Sequence, residues 1–185
     1  MKQGHPIRAR LMSSSLALLV ALLGQQLLYS QAVSEYEVKA AYLFNFAKFV
    51  EWPSETFNSN TVPIRLCILN DAAFGLQLNE IVKDKSINSR PVVVVPVKNG
   101  EESRSCQVLF IGSSQSRQAL HIIAVLQGTS VLTVGEMKGF VAEGGIINFV
   151  SQENQVHFQV NHRAATQAGL RVSSKLLSLA KLVIE

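Results

Sequence analysis

The sequence predicts an α/β fold: a single domain with a mainly parallel sheet, flanked by helices and finished by a C-terminal antiparallel hairpin. Three observations carry this. Short β-rich runs alternate with stretches of helical periodicity between residues 64 and 135. Those runs are mostly apolar rather than alternating, as in strands covered on both faces. After residue 145 the pattern changes to two neighbouring strands, 146–150 and 155–160, joined by "SQEN".

The chain has 185 residues, enough for one domain with a sizeable core. Residues 1–32 read as a cleaved signal peptide and 33–185 as the working domain. "MKQGHPIRAR" carries Lys2, Arg8 and Arg10 and no acid. The apolar run "LMSSSLALLVALLG" follows, and Ser30 and Ala32 are the small residues of a cleavage after Ala32. The run is short for a membrane span. Losing those three bases takes Lys+Arg from 17 to 14, against 13 acids. A near-neutral domain without a basic run offers little to phosphate-rich partners, so no nucleic-acid binding is expected.

The first element is "VKAAYLFNFAKFVEWP" (38–53). Asn45, Lys48 and Glu51 form its polar line, with Lys39 apart from it. The stretch is too short and too polar to span a bilayer and reads as a buried helix. Pro53 disfavours helical geometry at Trp52, so the helix is expected to stop near Glu51. "SETFNSNTVP" is a surface loop. "IRLCILN" (64–70) is a strand, and "AAFGLQLNEIVKDK" (72–85) a helix by the spacing of Phe74, Leu78, Ile81 and Val82. "RPVVVVPVK" (90–98) is expected to be a strand covered on both faces. "NGEESRS" is a polar loop and "CQVLFIG" (106–112) a buried strand. "SQSRQALHIIAVLQ" (114–127) is a helix and "SVLTVG" (130–135) a strand. After the hairpin, Asn161 caps a helix that Gly169 ends. "LRV" is extended, and Ser173 caps a last helix, "SKLLSLAKLV".

The chain shows no catalytic constellation. His121, His157 and His162 are too dispersed for a local ligand motif, so no metal is expected. "GSSQS" (112–116) lacks the G-x-S-x-G spacing of a nucleophile turn. Ser113 or Ser114 is expected to cap the following helix, whose N-terminus can still hold an anion. "GEMKGFVAEGG" (135–145) matches no nucleotide-binding pattern, and Gly144 and Gly145 read as turn residues. Asp71 follows a strand at the end where α/β sheets take ligands, and is equally a helix cap. The candidate ligand-binding set is Asp71, Ser113, Ser114 and Glu136. No enzyme activity and no cofactor are expected.

The two cysteines, Cys67 and Cys106, suggest a disulfide in an exported protein. In a doubly wound order 2-1-3 their strands are neighbours, within reach if the side chains share a face. Closing a loop of about 40 residues stabilises by roughly 4 kcal/mol in the chain-entropy model. A strained bridge between adjacent strands is also easier to reduce, so a structural and a redox-labile role both stand.

"EVKAAYLFNFAKFVEWP" after a signal peptide, with "CQVLFIG", "VLTVGE", "GGIINF" and "VHFQVNHRAATQAGLRVSSKLLSLAK", resembles the YfiR-like family of small periplasmic proteins. The resemblance covers essentially the whole mature chain. It implies a periplasmic, non-enzymatic repressor that binds the periplasmic domain of an inner-membrane diguanylate cyclase. Repression would lower cyclic di-GMP and restrain biofilm formation, and an outer-membrane or periplasmic activator protein would relieve it. The resemblance also implies a homodimer, and Cys67 and Cys106 match a cysteine pair seen in the family. The second pair of some members, towards the C-terminal hairpin, is missing from this chain. The alternative is a periplasmic small-ligand-binding protein without a cyclase partner, its ligand near Asp71, Ser113, Ser114 and Glu136.

Overall fold

A computed structural model of the chain describes residues 34–59 and 61–185. The signal peptide read at 1–32 lies outside the described residues. The first helix, α1 (Glu35–Phe49), begins three residues earlier than its apolar core suggests. Ser34 and Glu37 form a reciprocal capping box, the Ser34 hydroxyl accepting from the Glu37 N–H and the Glu37 carboxylate from the Ser34 N–H. Ala40, Leu43, Phe46 and Ala47 are buried, Phe44 and Phe49 half-buried, and Asn45 and Lys48 exposed. The helix ends two residues before the expected stop. Val50–Glu51 (β1) leaves it to pair antiparallel with Arg171–Val172 (β9), and the Ser173 N–H donates to the Phe49 carbonyl at 2.9 Å.

The remaining elements are β2 (Ile64–Leu69), α2 (Ala72–Val82), β3 (Ser86–Ile87), β4 (Arg90–Val97), α3 (Gly100–Ser103), β5 (Val108–Ile111), α4 (Ser116–Val125), β6 (Leu132–Gly135), β7 (Ile147–Gln152), β8 (Gln155–Asn161), α5 (His162–Gln167), α6 (Ser174–Leu179) and β10 (Leu182–Ile184). Eight of the strands form one sheet in the order β10-β8-β7-β6-β5-β2-β4-β3. The stretch from β4 through β7 is parallel, as are β8 and β10, whereas β7–β8 and β3–β4 are antiparallel. The chain moves from β2 outward to β4, then returns past β2 to β5 and runs the other way. The switch in direction lies between β2 and β5.

Both faces of the sheet are covered. Leu66, Ile68, Phe110, Val134 and Phe149 pack with residues of α1, α2, α5 and α6 on one face. Leu69, Leu109 and Ile111 pack with Ala119, Ile122 and Leu126 of α4 on the other. Among the described residues, no helix is long and apolar enough to cross a membrane.

Several expectations change. The "RPVVVVPV" strand is not covered on both faces: Val93, Val94 and Val95 are half-buried and Pro96 is exposed. Its partner β3 reaches only Arg90 and Pro91, and the Val92 N–H donates to the Lys85 carbonyl, so β4 is a free edge beyond Val92. The "NGEESRS" loop contains the short helix α3, because the Asn99 side chain accepts from the Glu102 N–H at 2.9 Å. The last helix stops at Leu179. "LVI" then adds a strand beside β8, begun by the Lys181 N–H donating to the Phe158 carbonyl. The hairpin is present, and Glu153 and Asn154 take φ of +53° and +59° in its two-residue turn.

Cys67 and Cys106 form a disulfide with Cα atoms 5.9 Å apart. It joins β2 to the residue two before β5, and the β4-β2-β5 neighbourhood is the 2-1-3 order expected from the sequence.

Candidate functional site

In open α/β sheets the ligand crevice lies beyond the carboxyl ends of the strands, where the strand order reverses. Here that place is bounded by Asp71 after β2, Gly112 and Ser113 after β5, and Glu136 after β6. A cavity of about 430 Å³ opens here, lined by Glu35, Tyr36, Lys39, Ser113, Glu136, Phe149 and Ser151.

Each group is placed by local structure. Asn148 on β7 accepts the Met137 N–H at 3.0 Å and so fixes the turn that carries Glu136. Ser113 starts a single 3-10 turn before α4. The first turns of α1 bring Glu35, Tyr36 and Lys39 over the crevice. The Tyr36 ring meets Phe74 edge-on at 5.3 Å, and Gln77 of α2 donates to the Ser34 hydroxyl at 3.1 Å.

Lys39 is the centre of the arrangement. Its side chain is only 7% exposed, and its Nζ lies 2.6 Å from a carboxylate oxygen of Glu35 and 2.6 Å from one of Glu136. The other Glu136 oxygen accepts the Ser113 N–H at 2.9 Å, and Glu35 accepts from the Ser151 hydroxyl at 2.8 Å. One connected network therefore ties α1 to the ends of β5, β6 and β7. Burial pulls the Lys39 pKa down, but hydrogen bonds and charge from Glu136 and Glu35 outweigh it, and the ammonium is held above its ordinary range. Glu35 is held below the usual carboxylate range, first by its hydrogen bond from Lys39 and then by that from Ser151. The Tyr36 phenol is pushed up, foremost by the negative charge of Asp71, then by burial and by Glu136.

The expected site residues divide. Ser113 and Glu136 are joined directly. Asp71 lies beside them across Gly112 and Tyr36, and its carboxylate accepts the Phe74 N–H at 3.0 Å as the cap of α2. Ser114 does not line the cavity; it is exposed, and its hydroxyl accepts from the Gln115 amide. Neither serine hydroxyl caps the helix after β5: Gln115 holds the cap position of α4 and Gly112 that of the 3-10 turn before it, and the Glu136 carboxylate takes the Ser113 N–H. At this helix start, where an anion was expected to fit, the chain's own Glu136 carboxylate already lies. Sequence reasoning missed Glu35, Tyr36 and Lys39. The one available signal was Glu35 four residues before Lys39, the spacing of a helical ion pair. Carboxylates of the chain itself thus stand at both helix starts, and the Lys39 ammonium neutralises part of their charge.

The profile of the YfiR/HmsC-like family matches residues 36–181. No curated protein matches the sequence. Among solved structures, a conserved domain protein from Vibrio cholerae O1 biovar eltor superposes with a TM-score of 0.52 at 12% identity, covering 81% of this chain and 60% of that one. The ABC domain from Streptococcus pneumonia, solved in complex with L-Trp, gives 0.47 at 11% identity, covering 70% and 57%. The chain therefore spans about three fifths of the length of these solved chains. The Vibrio structure is a likeness of fold alone.

Proposed function

Because the chain belongs to the YfiR/HmsC-like family, we propose that it is a periplasmic regulator that binds the periplasmic domain of an inner-membrane diguanylate cyclase and holds it inactive. The family match over residues 36–181 is the observation that carries this reading. The site is consistent with it. At the crevice that α/β proteins use for ligands, Lys39 is already paired with the chain's own Glu35 and Glu136, which favours recognition by the outer surface. Repression then follows from differential affinity: a regulator that binds the inactive cyclase better than the active one shifts the population towards inactivity. Cyclic di-GMP falls and biofilm formation is restrained. An outer-membrane or periplasmic activator protein would reverse this by weakening that difference.

Export belongs to the same proposal, with cleavage after Ala32 leaving Val33 as the first residue. Such a cut preserves Ser34, the cap of α1. N-terminal sequencing of the protein from a periplasmic extract should begin at Val33; a start within α1 would contradict it. The function itself is tested by deleting the gene and by pull-down from membranes with the mature protein. Cyclic di-GMP should rise on deletion and a diguanylate cyclase should co-purify. An unchanged level with no cyclase retained would end this reading. The cavity over Phe149 favours a second one, a small-ligand receptor, which a thermal-shift screen against periplasmic metabolites would distinguish.

A further inference from the structure

The opening turn of α1 is held differently from the rest of the helix. Glu35, Tyr36 and Glu37 are exposed, whereas Ala40, Leu43 and Phe46 have no solvent exposure. Beyond the capping box, the first turn is fastened by the Tyr36–Phe74 contact, the Gln77–Ser34 hydrogen bond and the Lys39 network. Segments with little buried apolar surface open locally at low cost. The strongest tie on this one is electrostatic, and both of its anions are titratable.

We propose that residues 34–39 form an acid-released latch over the switch-point crevice, held shut by the ion pairs of Lys39 with Glu35 and Glu136. The charged and titratable groups facing Lys39 are few. Among the described residues, Glu35 and Tyr36 come from α1 itself and Glu136 from the turn after β6, while Asp71, in the turn after β2, faces Tyr36. The other elements packed against it offer only the Ser151 hydroxyl from β7 and the Ser113 N–H after β5. Protonating the two glutamates leaves an ammonium in a nearly closed site with no bound anion, and desolvation then drives it towards water. The turn that carries it lifts, and the buried stretch from Ala40 onward stays in place and acts as the hinge. What is uncovered is the crevice itself, which Phe149, Ser113 and Ser151 line. The direction of the Glu35 shift agrees. Its stabilising contribution is complete above its ordinary value of 4.5 and is lost as pH falls through the lower value it has in the folded chain.

The test is hydrogen exchange on the purified protein, expressed as protection factors so that the intrinsic pH dependence is removed. As the pH is lowered from neutrality until the carboxylates are protonated, amides of residues 35–40 should lose protection by about tenfold or more while those of β5 and β6 keep theirs. Glu136→Gln mimics the protonated carboxylate and should show the loosened turn already at neutral pH. The double variant Lys39→Met with Glu136→Gln removes both charges and should keep the same protection at neutral and acid pH. Flat protection in the unaltered protein would overturn the proposal. So would a Glu136→Gln turn as protected as the original, or an undiminished acid response in the double variant.

Discussion

Lys39 shows how a residue that the helical pattern leaves unexplained can be held by a distant partner. In an apolar helix a lysine is ordinarily a solvated charge, and its position outside the Asn45–Lys48–Glu51 line seemed a detail. Its main partner, Glu136, stands 97 residues away, and no local pattern can announce such a contact. Lys39→Met should cost about 3 kcal/mol, because it leaves the Glu136 carboxylate, 11% exposed, without its cation. Glu136→Gln should cost less, about 1–2 kcal/mol, since Glu35 still pairs with the ammonium. The double variant should lose less than the sum of the two, and urea denaturation at neutral pH measures all three. Purely additive losses would show that the pair is not coupled. The glycines make a second case. Gly145 reads as a turn residue, yet a Cβ there would collide with the ring of Phe140, and one at Gly135 would lie 2.6 Å from the same ring. Phe140 is fully buried, so the ring cannot yield. Gly145→Ala should destabilise by about 1–3 kcal/mol in the same assay, as overpacked cores do.

The elements that were legible are those whose signal is local. β2, β5 and β6 are short β-rich runs between turn residues, and α2 keeps its helical spacing through Phe74, Leu78 and Val82. The elements that were not legible answer to distant partners. α1 ends at Phe49 because β9 waits to pair with Val50 and Glu51, and "LVI" becomes a strand because β8 offers it a free edge. β4 illustrates the limit best. An unbroken valine run looks like a central strand, but Pro96 within it points to an edge. The hydrogen bonds agree. Asn70 N–H donates to the Val97 carbonyl on the β2 side, whereas Val92 N–H donates outward to Lys85. By parity, residues 94 and 96 face outward, so proline removes one of the two N–H groups on the free part of the edge. Such prolines protect edges from pairing with other chains. Pro96→Val restores the missing donor in a β-branched run. It should increase concentration-dependent self-association, measured by light scattering, with little change in stability. An unaltered association state would mean that this edge is guarded by something else.

At the scale of the whole molecule the main sheet has two wings, β4-β3 on one side and β5-β6-β7-β8-β10 on the other, which meet where β2 pairs with β5. Two long-range ties lie at this junction. The Lys39 network gathers the carboxyl ends of β5, β6 and β7 under α1, and the disulfide fastens β2 to the segment entering β5. The disulfide could be foreseen, since the strand order that makes Cys67 and Cys106 neighbours follows from the α/β pattern. Whether it is labile could not, because that depends on access. Both cysteines are buried, Cys67 fully and Cys106 at 2% exposure. Exchange requires a thiolate to reach a sulfur, and here it must first open the core. A bridge across a sequence separation of 39 restrains mainly the unfolded chain. Replacing both cysteines with alanine should therefore lower stability by about 3–4 kcal/mol without changing the fold. The native protein should keep its bond in mild reductant, as read by mass spectrometry after alkylation, and lose it rapidly once denaturant is added. Rapid reduction under native conditions would instead mean that the core around Cys67 opens far more readily than its packing indicates. The bridge would then be a redox control on the junction of the two wings.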